Sequence, residues 1–218
     1  MLSILKLVKS NFKGYNQHVS TVGPEFVFLG EHPALDFANT LYAPHGELED
    51  QLQSWGDIVE WLRQANLSDG TALEATKAEG EAAVEAVVTL RRAWAKQIEG
   101  ILEEKPLRKE FLQTLNAALE KDLFSEAVVA EDGAFGLQRS ESRLRGGERA
   151  LAILARQIAV FLTECNHEYL RQCAGPGCVL YFYDTTKNHR RQWCSAAACG
   201  NRHKVAAFRE RQAKKRTS

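Results

Sequence analysis

Four cysteines crowd the end of the chain, Cys173, Cys178, Cys194 and Cys199, as two C-x4-C pairs with fifteen residues between them. Two thiolate pairs drawn together surround one tetrahedral Zn²⁺ at about 2.3 Å per Zn–S bond, and such a centre can replace a hydrophobic core. The segment needs one. Its large apolar residues are Val179, Leu180, Tyr181, Phe182, Tyr183, Trp193, Val205 and Phe208. A stretch this small seldom folds on burial alone, whereas a structural Zn²⁺ contributes roughly 10–16 kcal/mol of apparent binding free energy. Ala174-Gly175-Pro176-Gly177 supplies the tight backbone of a metal knuckle, since Gly admits positive φ and Pro fixes a turn. Val179–Asp184 reads as a strand, Thr185–Arg190 as a turn, and the stretch from Cys194 and Cys199 to about Lys214 as a helix. Knuckle, hairpin and helix follow one another in treble-clef-like order. His189 and His203 lie nearby as rival ligands, but four thiolates complete the shell and leave the histidines to the surface or to phosphates. A closed shell has no position for water or substrate, so metal-assisted hydrolysis is disfavoured.

The same segment is basic, although the formal net charge of the chain is zero. Residues 1–170 carry 17 Lys/Arg against 26 Asp/Glu, and residues 171–218 carry 11 against 2. That division describes an acidic body with a basic reader, whose natural partner is a polyanion. Mutual neutralisation within the fold is the rival reading, but a body this much larger cannot turn all its acids toward the finger. With 44% hydrophobic residues and only five prolines, the chain is not a disordered one. Five cysteines, four of them at metal spacing and Cys165 in a helical pattern, suit a reducing compartment better than a disulfide framework. Lys6 and Lys9 interrupt the apolar N-terminus, so it does not read as a signal peptide, and no apolar run approaches 18 residues. The cytoplasm is the expected location.

The expected fold class is mainly α with a small β component: a helical N-terminal domain followed by the four-cysteine finger. Residues 1–22 read as a loosely ordered extension, 23–170 as the helical domain and 171–218 as the finger with its basic helix. Glu25–Leu29 has strand formers stopped by Gly30 and Pro33, and ALDFANTLY reads equally as an alternating segment or a short helix. Pro44, His45 and Gly46 mark a turn. Ser54-x-x-Asp57 opens a helix to Gln64 with Trp55, Ile58, Trp61 and Leu62 on its apolar face. Helices are expected over about Ala75–Leu102, from Pro106 to about Glu120, and over about Glu148–Arg171. The last of these would run straight into Cys173 and join finger to body. Between Ser125 and Gln138, Asp132-Gly133 predicts a hairpin with a two-residue type I′ turn.

Cys199-Gly200-Asn201-Arg202, with Arg191-Gln192-Trp193-Cys194 before it and Phe182-Tyr183-Asp184 upstream, resembles the CGNR zinc finger family over residues 171–216. The body resembles the ABATE domain through Leu35-Asp36-Phe37-Ala38-Asn39-Thr40, the Trp55–Gln64 helix and Leu90-Arg91-Arg92. Together the resemblances imply a bacterial, stress-linked transcription regulator that binds DNA through one structural Zn²⁺ finger. The first twenty residues match neither pattern, and His203 stands where a small residue is more usual.

Arg190, Arg191, Arg202, Lys204, Arg209, Arg211, Lys214, Lys215 and Arg216 are the candidate nucleic-acid contacts, because cations at this density neutralise phosphates. Arg202 and Arg209 are seven apart and share a helical face, from which Arg can read guanine with two parallel bonds. Val205 and Phe208 are expected to pack that helix onto the hairpin. Asn201 could contact adenine or brace the knuckle, and Asp184 reads as a local partner of Arg190 or Arg191. Asp36, Asn39, Thr40, Arg91 and Arg92 form a candidate effector pocket, with a purely structural strand-to-helix tie as the alternative. No nucleophile–base pair, phosphate loop or protease motif is present, so the chain is not expected to be an enzyme. The expected partners are DNA, a small-molecule effector and a second copy in a homodimer. An RNA- or protein-binding adaptor is the alternative reading.

Overall fold

A computed structural model describes residues 26–43, 47–122, 126–131, 134–139 and 142–216. The expected N-terminal extension, the turn at Pro44–Gly46 and the hairpin turn at 132–133 lie outside the described residues.

Among the described residues, the body is built on three long helices. Helix α3 (Lys77–Leu102) opens with a capping box, Thr76 with Glu79, and helix α2 (Trp55–Gln64) with the anticipated Ser54–Asp57 box. Helix α4 (Lys109–Lys121) begins three residues beyond Pro106, after Arg108 anchors its N–H on Gln97 Oε1 at 3.0 Å. Helix α5 (Gly146–Glu164) packs against both α3 and α4. A Cβ on Gly147 would lie 2.5 Å from that of Ala83, so the α3–α5 approach requires glycine there. Val87, Trp94 and Ile98 of α3 meet Phe111 and Leu115 of α4 and Leu154, Ile158 and Phe161 of α5 in one buried core. Trp94 stacks on Phe111 at 6.0 Å and donates its indole N–H to the Ala34 carbonyl at 2.8 Å. That bond pins helix α1 (Pro33–Ala38), whose residues are all buried, onto the helical layer.

Sheet is scarce. Strands β1 (Leu41–Tyr42) and β2 (Glu49–Asp50) pair antiparallel, as do β3 (Glu126–Glu131) and β4 (Ala134–Arg139), where Glu131 faces Ala134. The chain is thus mainly α with a small β component.

Three expectations change. Residues 26–29 form no strand. Their alternation is real, but it serves two cores: Phe26 and Phe28 pack on the helical core while Val27 and Leu29 pack on the finger's. Helix α5 stops at Glu164 rather than Arg171. Cys165 turns extended, Asn166 caps a single 3₁₀ turn (His167–Tyr169), and strand β5 (Leu170–Gln172) follows, pairing with β6 (Tyr181–Tyr183). Ladder hydrogen bonds to β6 and the Asn166 cap outcompete the helical apolar stripe there. The junction between body and finger is therefore a hairpin strand, not a continuous helix. Third, Val205 and Phe208 do not pack on the hairpin; they are 42% and 55% exposed on helix α6 (Asn201–Arg216).

Candidate metal centre

The first cysteine pair is shaped by backbone. Cys178 N–H donates to the Gly175 carbonyl at 3.0 Å, and Gly177 takes φ +71°. The β5–β6 hairpin then closes on the second pair: Cys173 N–H reaches Leu180 O at 2.9 Å and Ala174 N–H reaches Gln192 O at 2.8 Å. The second pair is built differently. Cys199 sits in a π-type turn at Ala196–Gly200, closed by Gly200 N–H on Ser195 O at 3.0 Å, while Cys194 lies just before the extended cap residue Ser195, and the two sulfurs meet at 3.7 Å. The Ser195 hydroxyl caps this turn by accepting from Ala198 N–H at 3.2 Å.

The four sulfurs all lie within 4.8 Å of one another. Cys178 Sγ is 3.8 Å from Cys194 Sγ, which is 3.7 Å from Cys199 Sγ. A tetrahedron with Zn–S bonds near 2.3 Å has edges of about 3.8 Å. The donor set therefore fits one Zn²⁺. Two backbone N–H groups also point at Cys173 Sγ, from Gly175 at 3.4 Å and Cys194 at 3.3 Å, as donors that steady a thiolate. A Cβ on Gly175 would sit 3.1 Å from Cys199 Sγ and 3.4 Å from Cys173 Sγ, so only glycine leaves the sulfur cradle its room. The thiols themselves ask for a cation. Hydrogen bonding to Cys194 draws Cys178 down to about 5, the pairing with Cys178 pushes Cys194 up, and burial lifts Cys199 to about 11. A divalent ion favours the thiolate form of the cysteines that ligate it. The histidines take no part. His189 stacks on Tyr169 at 3.6 Å with its Nδ1 2.9 Å from the Asp184 carbonyl, and His203 lies against Trp193.

The candidate nucleic-acid residues fall into separate environments. Arg202, Lys204, Arg209 and Arg211 are exposed along α6, and Lys214, Lys215 and Arg216 continue the same helix. Arg190 is exposed on the preceding turn. Arg191 is different: it donates to Trp193 O at 2.9 Å, to Cys194 O, and to Glu31 Oε1 at 2.8 Å, with its guanidinium 4.6 Å above Phe182. It braces the metal knuckle against the body. Asp184, wholly buried, accepts from Thr186 and from the Arg191 backbone N–H at 2.8 Å, so its partnership with Arg191 runs through the main chain.

The candidate effector residues are drawn into internal bonds. Asn39 matches its side-chain amide to the Tyr181 backbone, donating to the carbonyl at 2.8 Å and accepting from the N–H at 2.9 Å. Asp36 accepts from Gly30 N–H at 2.7 Å, and Gly30 O accepts from Tyr183 N–H at 2.9 Å. Arg91 holds Asp50 through two bonds, at 2.7 and 2.5 Å, and Thr40 Oγ1 at 3.0 Å. Burial raises the Asp50 pKa, but the bonds from Arg91 and Leu52 N–H outweigh it and the net shift is downward. Arg92 alone of the five is exposed. Sequence reasoning missed Glu31 and Asp50; their partners lie 160 and 41 residues away, and no local pattern announces such pairs.

Among the described residues no helix is long and apolar enough to cross a membrane. Residues 31–164 match the ABATE family model, described as "Putative stress-induced transcription regulator", and residues 169–212 match the CGNR zinc finger. Neither is an enzyme family. No curated protein matches the chain.

Proposed function

The chain belongs to the ABATE family and carries a CGNR zinc finger at its C-terminal end, and from this premise we propose that it regulates transcription by binding duplex DNA through helix α6. One observation carries the reading: a helix bearing Arg202, Lys204, Arg209 and Arg211 rises from a four-cysteine cluster with these side chains in solvent. Cations held on a rigid base neutralise phosphates and release counterions. Arg190 and the Lys214–Arg216 end extend the basic track, while Arg191 acts as a strut. In this reading residues 171–218 are the reader and residues 23–170 the body. Asn39 ties body to reader through the Tyr181 backbone, and Asp36 holds Gly30, whose carbonyl receives Tyr183 N–H. Arg91 braces Thr40 and Asp50 within the body, and Arg92 faces outward toward a ligand or a second copy. A small effector has room in an open cleft of about 580 Å³ lined by Glu79, Ala83, Arg145 and Glu148.

The test is a titration of the zinc-loaded full chain onto duplex DNA at rising salt. Each neutralised phosphate contributes about −0.9 to the log–log slope, so a slope steeper than about −3 is expected. Arg202→Glu with Arg209→Glu should weaken binding at least about tenfold while one zinc per chain remains. A zinc-loaded protein with no salt-dependent affinity for DNA sinks the reading.

A further inference from the structure

The exposed Val205 and Phe208 pose a question that phosphate binding leaves unanswered. At 100° per residue, Arg202, Val205, Phe208, Arg209 and Gln212 fall in one sector of α6 about 120° wide. All five are exposed, and the sector contains no acidic position. The opposite side of the helix faces the finger, where Ala207 is half-buried and His203 lies 5.7 Å from the Trp193 ring. The apolar pair is thus presented outward, between two guanidinium groups and an amide.

Resting on the DNA-binding reading, we propose that this sector is a base-reading face for the major groove, with Arg202 and Arg209 on guanines, Gln212 on adenine and Val205 with Phe208 against thymine methyls. The chemistry of each side chain matches an edge displayed in that groove: a forked donor for guanine O6 and N7, an amide for adenine N6 and N7, carbon for the thymine methyl. The spacing matches as well. Seven helical residues advance about 10.5 Å, close to three base-pair steps of about 3.4 Å. Two guanines three base pairs apart, with A·T pairs between or beside them, are the expected signature. Lys204 and Arg211 lie outside the sector, on a flank suited to phosphates.

The experiment selects bound duplexes from a random pool with the zinc-loaded full chain, then measures selected against scrambled duplex for charge-preserving variants. Arg202→Lys and Arg209→Lys keep the cation but lose the fork, so each should lower the preference at least about tenfold with the salt slope unchanged. Arg211→Lys should leave the preference intact, and Phe208→Ala should relax selection at the thymine positions alone. Preference that survives both sector lysines, or that moves with Arg211→Lys, overturns the proposal. So does salt-dependent binding with no sequence preference, which leaves the DNA-binding reading standing. Absence of any DNA binding removes that reading itself, and Phe208→Ala acting only on capture of a protein partner would place the sector in a docking interface instead.

Discussion

Single atoms decide the quality of the metal centre. Gly175 has an ordinary negative φ, so alanine there brings no backbone strain; the conflict is its Cβ at 3.1 Å from Cys199 Sγ. A sulfur bonded to zinc has little freedom to retreat. Gly175→Ala should weaken zinc binding about tenfold, the scale seen for groups that orient metal ligands. Competition against a chromophoric chelator measures this, and unchanged affinity would show that the cradle yields. The cysteines and Gly175 were legible as a metal knuckle because their spacing is local. Arg191 was not. It reads as one cation among nine, and only its three acceptors and the Phe182 ring beneath it give it the role of a strut.

Elements reveal how short segments depend on their surroundings. Helix α1 has six residues, too few to hold together alone, and its N-cap is His32, which is buried and accepts from Ala34 N–H through Nδ1 at 3.1 Å. Burial lowers the His32 pKa from 6.5 to about 4. The unfolded chain therefore binds a proton between these values and the folded chain does not. The stabilisation is complete above pH 6.5 and declines as pH falls toward 4, by about 3 kcal/mol across the window. Urea unfolding followed by tryptophan fluorescence should show this slope, and His32→Asn, which keeps a cap acceptor but cannot titrate, should flatten it. Equal slopes in both proteins would rule out His32 as the source. The capping box of α2 was visible in the sequence because all its partners lie within four residues. The end of α5 was not, since strand β6, which competes for residues 170–172, arrives eight residues after they have passed.

Across the whole molecule, the described residues form two cores of different origin. The larger is made mostly of helical side chains, joined by Leu170 and Tyr181 of the β5–β6 hairpin, whereas the smaller gathers Cys173, Leu180, Phe182, Cys194 and Cys199 around sulfur. Removing zinc should therefore open the second without dissolving the first. In limited trypsin digestion of the chelator-treated chain, cuts are expected at Lys187, Arg190 and Arg191, with α2 to α5 surviving as a fragment. A C-terminus that stays protected, or a body digested at the same rate, would contradict two independent cores. The seam between them is polar and specific: the Asn39 amide clasps Tyr181, Gly30 O receives Tyr183 N–H, and Glu31 meets Arg191. Residues 26–29 fill the space between, one side chain to each core in turn.

The sequence by itself determined the donor set, the split between acidic body and basic finger, the existence of the long helices and two of their starts. Those features depend on residue type and short-range spacing, which the chain carries wherever it goes. Tertiary structure alone decided what Asp36, Asn39, Thr40 and Arg91 do, where α5 yields to a strand, and which side of α6 meets solvent. Each of those outcomes is a competition between partners far apart along the chain, and its winner depends on distance in space, a quantity that spacing in sequence does not contain.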